Sequence, residues 1–429
     1  METSRQRRKV EWIRIFQLAL SFFVYAQAGM SDGSLGAQVD SLQIYYNLTF
    51  TVVSLIFLAN AAGWLVASFL NIYLLHHHSF WTTLAVASMA NMVGSIIIVT
   101  LPPFPAFVVA LFINGIGACI YDASFAAYTA HFDKGPAMSL LFAAFGVGAL
   151  IAPLIVAAML DHSVSWNMYY YVPLGLSVLN IPLLWTIFRK YRLPKEPENS
   201  SMAKGIRRKF VLVARNPKVL TGGVLTTLSM ASGEILTSWL VSFMTDVRHG
   251  NAYTMRYVLS GYWIGLVLGR LLLAKVTSYI GPRISLTLYG IIAVALLAVI
   301  QFVDNIIVNA VASALTGFFQ AQVPAVLPST PMIISISSKW VPPSLIDPAI
   351  SILTAFGLIG SALGPLCVGF VNSAGGLRWL PSITMGTIGV TLGVWHLAPS
   401  APWRDRVRVD SSRDSDERIG PKSEKLSNV

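Results

Sequence analysis

Charge is scarce in this chain of 429 residues: Asp, Glu, Lys and Arg together make up 11% of it, against 55% hydrophobic residues. Soluble domains carry about a quarter of their residues as charges, so an ordinary solvated surface is excluded. Cysteine is nearly absent. The two present, Cys119 and Cys367, fall in apolar runs and offer no disulfide framework. A Gly-x-x-x-x-Gly-Lys-[Ser/Thr] phosphate loop is missing, and no segment between the apolar runs has room for a nucleotide domain, which excludes ATP-driven pumping. Clustered metal ligands and a nucleophile–base pair are lacking too, so no enzyme, no cofactor and no metal site are expected. His76, His77 and His78 do not alter this: three adjacent residues cannot converge on one ion, and a solvated loop is their expected setting. The net charge of +11 sits in a few loops and the tails, which argues against nucleic acid as a partner.

Long apolar runs fill the space that charge leaves. Windows of about 19 residues place twelve of them, each long enough to cross about 30 Å of hydrocarbon. The first six are 12–36, 48–73, 80–101, 104–130, 137–160 and 167–188; the second six are 219–244, 254–278, 284–303, 306–330, 347–371 and 377–397. The basic start "RQRRKVEWIR" is followed by no short core with a small-residue cleavage site, so the first run reads as an uncleaved helix. With both termini in the cytoplasm, only Arg248, Arg256 and Arg378 among the lysines and arginines face outward, and Arg270 lies within a span. That asymmetry fixes the expected orientation.

The two sets of six resemble each other. "FGVGALIAPLIV" in the fifth span and "FGLIGSALGPLC" in the eleventh share Phe-Gly, small residues and a proline; Pro153 and Pro365 stand 212 residues apart. "FINGIGA" and "ALTGFFQA" form a weaker pair in spans four and ten. Two parallel six-helix repeats about a linker are the architecture of major facilitator transporters, which work by rocking of the halves. The expected fold is therefore an all-α membrane protein of 12 transmembrane helices with both termini cytoplasmic. Its divisions are an N-terminal segment 1–11, an N-terminal bundle 12–188, a cytoplasmic linker 189–218, a C-terminal bundle 219–397 and a disordered cytoplasmic tail 398–429.

Several stretches are similar to the fucose permease-like branch of the major facilitator superfamily in its fungal form. They are "GMSDGSLG" in span one, "LQIYYNLTFTVVSLIFLANAAGW" leading into span two, "NGIGACIYDASFAAY" in span four, "SGEILTSWLVSFMTDVRHG" in span seven and "SGYWIGLVLGRLLLAKVTSYIGPR" in span eight. The resemblance covers about 12 to 397. It implies sugar–proton symport, with a carboxylate in span one, an acidic residue in span four and a glutamate in span seven. The superfamily's Gly-x-x-x-Asp-Arg-type motif is not matched after span two, where the loop reads "LNIYLLHHHSF". Its second-half counterpart is better matched, by Gly265, Gly269, Arg270, Gly281 and Arg283. The glycine-proline motif of drug–proton antiporters is not supported by "ALIAPLIVAAML" in span five.

Asp32 leads the candidate site residues. A charged aspartate near a helix centre costs about 2.5–3.5 kcal/mol on insertion scales, so it faces a cavity or else reaches outer water at the helix end. Gly29, Gly33 and Gly36 around it admit close helix packing. Asp122 is the second carboxylate of the first half; at 1.5 Å per residue its depth differs from that of Asp32 by about 15 Å, which suits separate roles. Glu234, in span seven, is either a further protonation site or a hydrogen-bond acceptor for substrate. Arg270, with Arg283, Gly265 and Gly269, is assigned to gating. Tyr25, Gln27, Asn60, Asn114, Trp239, Trp263, Gln320 and Gln322 are candidates for cavity lining, where amides and rings bind a neutral polar ring compound.

The function expected from these features is secondary transport of a small organic solute, coupled to protons, in a lipid bilayer. The divergent loop after span two favours export of a small secondary metabolite. Uptake of a sugar by proton symport is the alternative, and a transporter-like nutrient receptor a distant third, disfavoured by the short linker and tail. The plasma membrane is the default location.

Overall fold

Polar caps and turn residues cut the apolar chain into rods. Asn216 accepts from the Lys218 amide at 3.0 Å and is followed by Pro217, whose missing N–H costs nothing in a first turn. Asn305 accepts from the amides of Ile307 and Val308 at 2.9 and 3.1 Å. Gly281 turns the chain between two helices at φ 92°, a conformation unfavourable for residues with a Cβ, and Pro282 restarts it. The computed structural model describes residues 2–132, 136–192, 211–321 and 345–397. Most of the expected linker, the whole of the expected tail and Gln322 lie outside these residues.

The long helices are α1 Glu2–Tyr46, α2 Leu55–His77, α3 Phe80–Val99, α4 Phe104–Phe132, α5 Pro136–Asp161, α6 Tyr171–Phe188, α7 Pro217–Asp246, α8 Met255–Ile280, α9 Pro282–Phe302, α10 Ile306–Gln320, α11 Ile346–Gly375 and α12 Leu380–Leu397. A one-turn helix, Phe50–Val53, precedes α2, and a 3₁₀ turn, Trp166–Tyr170, precedes α6. Among the described residues, nine helices are long and apolar enough to cross a membrane, and α10 is a shorter apolar one. The helix α8 carries Arg256, Arg270 and Lys275, which dilute its apolar character.

Two boundaries differ from the sequence reading. The first helix does not end near 36 but continues to Tyr46, so Asp32 lies well inside it and caps nothing. The segment 37–46 reads as loop because it holds Gln38, Asp40, Ser41 and Gln43; in the fold it stays helical, with Gln38 buried and Asp40 partly so. The histidines are exposed, as expected, but divide between helix and loop: His76 and His77 form the last turn of α2, where the His77 ring stacks on Tyr73 at 4.3 Å, and His78 lies in the connection that follows.

Packing repeats between the halves. In the first, α1 packs on α5, α2 on α4, α3 on α4 and α6. In the second, α7 packs on α11, α8 on α10, α9 on α10 and α12. Backbone contacts repeat with the same register. A Cβ on Gly63 would lie 2.2 Å from the Phe112 carbonyl oxygen, and one on Gly115 would lie 2.3 Å from that of Asn60. Shifted by 202 residues, Gly265 meets the Ala314 carbonyl oxygen and Gly317 that of Tyr262, at 1.8 and 2.2 Å. Only glycine permits such approach, and it lets van der Waals packing hold helices that lipid does not drive together. The halves meet through α5 with α8, α2 with α11, and α1 with α7.

Candidate functional site

Between the halves lies a cavity of about 610 Å³, lined from α1, α2, α4, α5, α7, α8 and α11. Three carboxylates face it: Asp32 from α1, Asp122 from α4 and Glu234 from α7. Its described lining holds no lysine, arginine or histidine. Arg248 forms an ion pair with Asp304 at 3.3 Å. The sequence reading separated Asp32 and Asp122 by depth; both nevertheless open on one space.

The end of the cavity away from residue 12 is closed by contacts between the halves. A Cβ on Gly36 would stand 2.0 Å from the Thr237 carbonyl oxygen and 3.2 Å from Ser238 Cα. One turn further, the Ser242 hydroxyl donates to Asp40 Oδ1. These contacts advance together along α1 and α7, so the helices run parallel, each pair separated by 202 residues. Asp32 and Glu234 share that separation and lie one turn on the other side of Gly36, both on the cavity at the boundary between halves. Arg256, only 1% exposed, reinforces the closure: its Nε donates to the Ala37 carbonyl at 2.7 Å and its Nη2 to Ser41 Oγ at 3.2 Å, while Nη1 donates to the Ala252 carbonyl. Thr51 and Ser373 hydroxyls meet at 2.8 Å beside it, joining the turn before α2 to α11.

The remaining expected residues divide into those at the cavity and those elsewhere. Asn60 and Trp263 line it. Tyr25 lies behind Asp122 and donates its hydroxyl to Oδ1. Gln27 is a tie within the first half, donating to the Pro173 carbonyl at 3.0 Å and Ser177 at 2.6 Å and accepting from Asn180 at 2.6 Å. Asn114 fills the α3–α4 contact against Gly94. Trp239 is buried at the closed end, its N–H donating to the Pro365 carbonyl at 3.0 Å and its ring beside Phe50 and Phe57. Gln320 accepts from the Tyr262 hydroxyl at 2.7 Å within the second half.

Of the residues assigned to gating, Arg270 does cross between halves: its Nη1 donates to the Phe142 carbonyl of α5 at 3.0 Å. Gly265 and Gly269 instead press α8 onto α10 inside one half, and Arg283 is exposed in the first turn of α9. Sequence reasoning missed Phe57, Trp64 and Phe145 in the cavity wall, and the group Asp40, Ser242 and Arg256. Charge counting places Arg256 on the outward-facing side; burial among carbonyls is what that count cannot register.

A closed contact at one end and a largely apolar cavity bearing three acidic side chains between two repeated halves define a class of solute carriers. The family model of the Major Facilitator Superfamily matches residues 21–332, and the chain belongs to that superfamily of multi-pass membrane transporters. It is similar to Bypass of stop codon protein 6 of Saccharomyces cerevisiae, 22% identical over 416 residues, covering 89% of this chain and 82% of that one. The glucose/mannose transporter GlcP of Bacillus subtilis is 23% identical over 386 residues, covering 87% and 89%. Among solved structures, a D-xylose-proton symporter superposes with a TM-score of 0.70 at 13% identity, over 90% of this chain and 98% of that one. At that identity the likeness speaks for the fold.

Proposed function

We propose that this protein is a proton-coupled secondary transporter that exports a small organic solute by alternating access, with twelve spans and both termini in the cytoplasm. The observation that carries the reading is the set of three carboxylates, drawn from both halves, on one cavity at the boundary between them. Charges at such depth are expensive, face cavities and mark ion or substrate paths. Because Asp32 and Glu234 belong to different halves, any change in their protonation alters the electrostatic repulsion between the units that must rock. Asp122, tied to Tyr25, senses the same cavity from within one half. With cytoplasmic termini, closure through Gly36, Asp40 and Arg256 corresponds to an inward-facing state.

Deletion and wild-type cells compared by untargeted metabolite analysis of medium and cytosol test direction: an exported solute accumulates inside the deletion cells. Proteoliposomes loaded with a pH-sensitive dye then test coupling, the accumulated solute being expected to drive proton movement. Unchanged transport and unchanged pH dependence in Asp32→Asn would remove Asp32 from the coupling path.

Uptake of a sugar by proton symport is the second reading. It is favoured by the likeness to proteins described as a glucose/mannose transporter and a D-xylose-proton symporter. Loss of growth on a single sugar in deletion cells would select it.

A further inference from the structure

A second space lies outside the central cavity. The helices α11 and α12 both pack on α7 and leave between them a groove of about 630 Å³. No residue of its wall also lines the central cavity. Leu363, Cys367 and Val371 of α11 are exposed in it. Gly360 and Gly364 bring the α11 backbone onto α7 at Thr227 and Ala231, so the floor there carries no large side chain.

The chemistry of the wall suits hydrocarbon. Its hydroxyls already have acceptors: Thr227 donates to the Phe356 carbonyl at 2.8 Å, Ser382 to Gln301 Oε1 at 2.9 Å and Thr387 to the Ile383 carbonyl at 2.8 Å. Polar atoms satisfied in this way can be covered by methylene groups without loss. The length fits as well. From Val371 to Gly360 the wall follows 11 residues of α11, about 16 Å. That is about half of the 30 Å or so of bilayer hydrocarbon, the reach of an acyl chain in one leaflet. At the end near Val371 the wall includes Trp379, and the exposed Arg378 holds its guanidinium 5.3 Å from the centre of that ring. Among the described residues Arg378 makes no ion pair, whereas Arg248 is held by Asp304. Tryptophan and a cation are the residues that anchor a helix at the membrane surface, and a guanidinium there matches phosphate.

We propose that this groove binds one phospholipid, with an acyl chain lying on α7 between α11 and α12 and the headgroup phosphate accepting from Arg378. A sterol would fill the apolar wall but leave Arg378 without an anion. The site stands apart from the transport path, so it holds whatever the solute and direction of transport.

Cys367 supplies the readout. In the purified full-length protein carrying Cys119→Ser it is the one remaining thiol, and its rate of modification by N-ethylmaleimide in detergent reports whether the groove is filled. The probes are dioleoylphosphatidylglycerol, dioleoylglycerol (the same chains without phosphate), ergosterol and inorganic phosphate. Dioleoylphosphatidylglycerol is expected to slow the reaction saturably and dioleoylglycerol to do so with weaker affinity, while ergosterol and inorganic phosphate leave the rate unchanged. Arg378→Gln is expected to weaken dioleoylphosphatidylglycerol about fivefold, the equivalent of about 1 kcal/mol for a basic side chain at a lipid surface, and to spare dioleoylglycerol. Leu363→Trp, which fills the groove, is expected to slow the reaction without lipid and to remove the lipid response. Protection by ergosterol in place of the phospholipid, equal affinity for the two glycerolipids, or an unchanged affinity in Arg378→Gln each overturns the proposal. Slowing that grows with protein concentration in the absence of lipid assigns the groove to a second copy of the chain and overturns it too.

Discussion

Asp32 and Glu234 stand opposite each other on parallel helices, two turns from the point where Ser242 donates to Asp40 on the same pair. Eight residues of helix, about 12 Å, therefore separate the acids of the cavity from the contact that closes it. Gly36 lies midway, pressed on the backbone at Thr237 and Ser238. The α1–α7 seam thus carries cavity, close backbone contact and closure in one register along the same pair of helices.

Gly36→Val tests that seam. A side chain at Gly36 would start 2.0 Å from the Thr237 carbonyl oxygen, and backbone cannot yield as a flexible side chain can. The closed end should be unable to form, with transport falling roughly tenfold, the effect of a shift near 1.4 kcal/mol, while membrane abundance stays near wild type. A cysteine introduced at Thr51 should label faster with a membrane-impermeant maleimide in this variant. Equal labelling with and without the substitution would show that the seal does not depend on this contact.

Ser242→Ala removes a donor to a carboxylate that has its other oxygen, Asp40 Oδ2, buried and without a partner. Leaving a buried acceptor short of a hydrogen bond costs about 1–3 kcal/mol, and the cost falls on the closed state, where Ser242 meets Asp40. The variant should therefore spend more time open at this end, read as faster labelling at Thr51. Arg256→Met should do the same more strongly, since it abandons the Ala37 carbonyl and Ser41 as well. Labelling slower than wild type in both would reverse the assigned role.

The fold was legible where chemistry is local or repeated. Pro153 with Pro365, and Gly115 with Gly317, announce two copies of one bundle, because both the proline position and the glycine contact are copied with the helices. Asp32, Asp122 and Glu234 were legible as single acids in apolar runs. Asp40 and Arg256 were not: near a helix end a charge reads as solvated, and the partner that holds it lies about 200 residues away. Trp239 and Trp263 look alike as letters, yet one is buried at the closed end against the Pro365 carbonyl and the other forms part of the cavity wall. Periodicity tells that a ring is in a membrane helix but not whether it faces lipid or the path.

Tyr25→Phe addresses the acid that has its own donor. The ring stays packed against Phe145, 5.4 Å away, while the hydroxyl that donates to Asp122 is lost. Hydrogen bonds to a carboxylate favour its charged form, so the pH profile of transport should move if Asp122 takes part in coupling. Trp239→Phe, which leaves Asp122 untouched at the closed end, should leave the profile in place. A Tyr25→Phe profile superimposable on wild type would confine this pair to a structural tie.

Gly265→Val distinguishes packing from gating. The motif to which Gly265 belongs suggested a gate, but its contact with the Ala314 carbonyl oxygen, at 1.8 Å from a built Cβ, lies inside the second half. Gly63, its equivalent 202 residues earlier, makes the same contact with Phe112 in the first half. Both halves should then respond alike: Gly265→Val and Gly63→Val should each force α8 from α10, or α2 from α4, and lower abundance and thermal stability together. A gating role for Gly265 would break that symmetry. It would give a stable Gly265→Val protein with altered labelling at Thr51, beside an unstable Gly63→Val. Measuring unfolding temperature and labelling on both variants decides between the two.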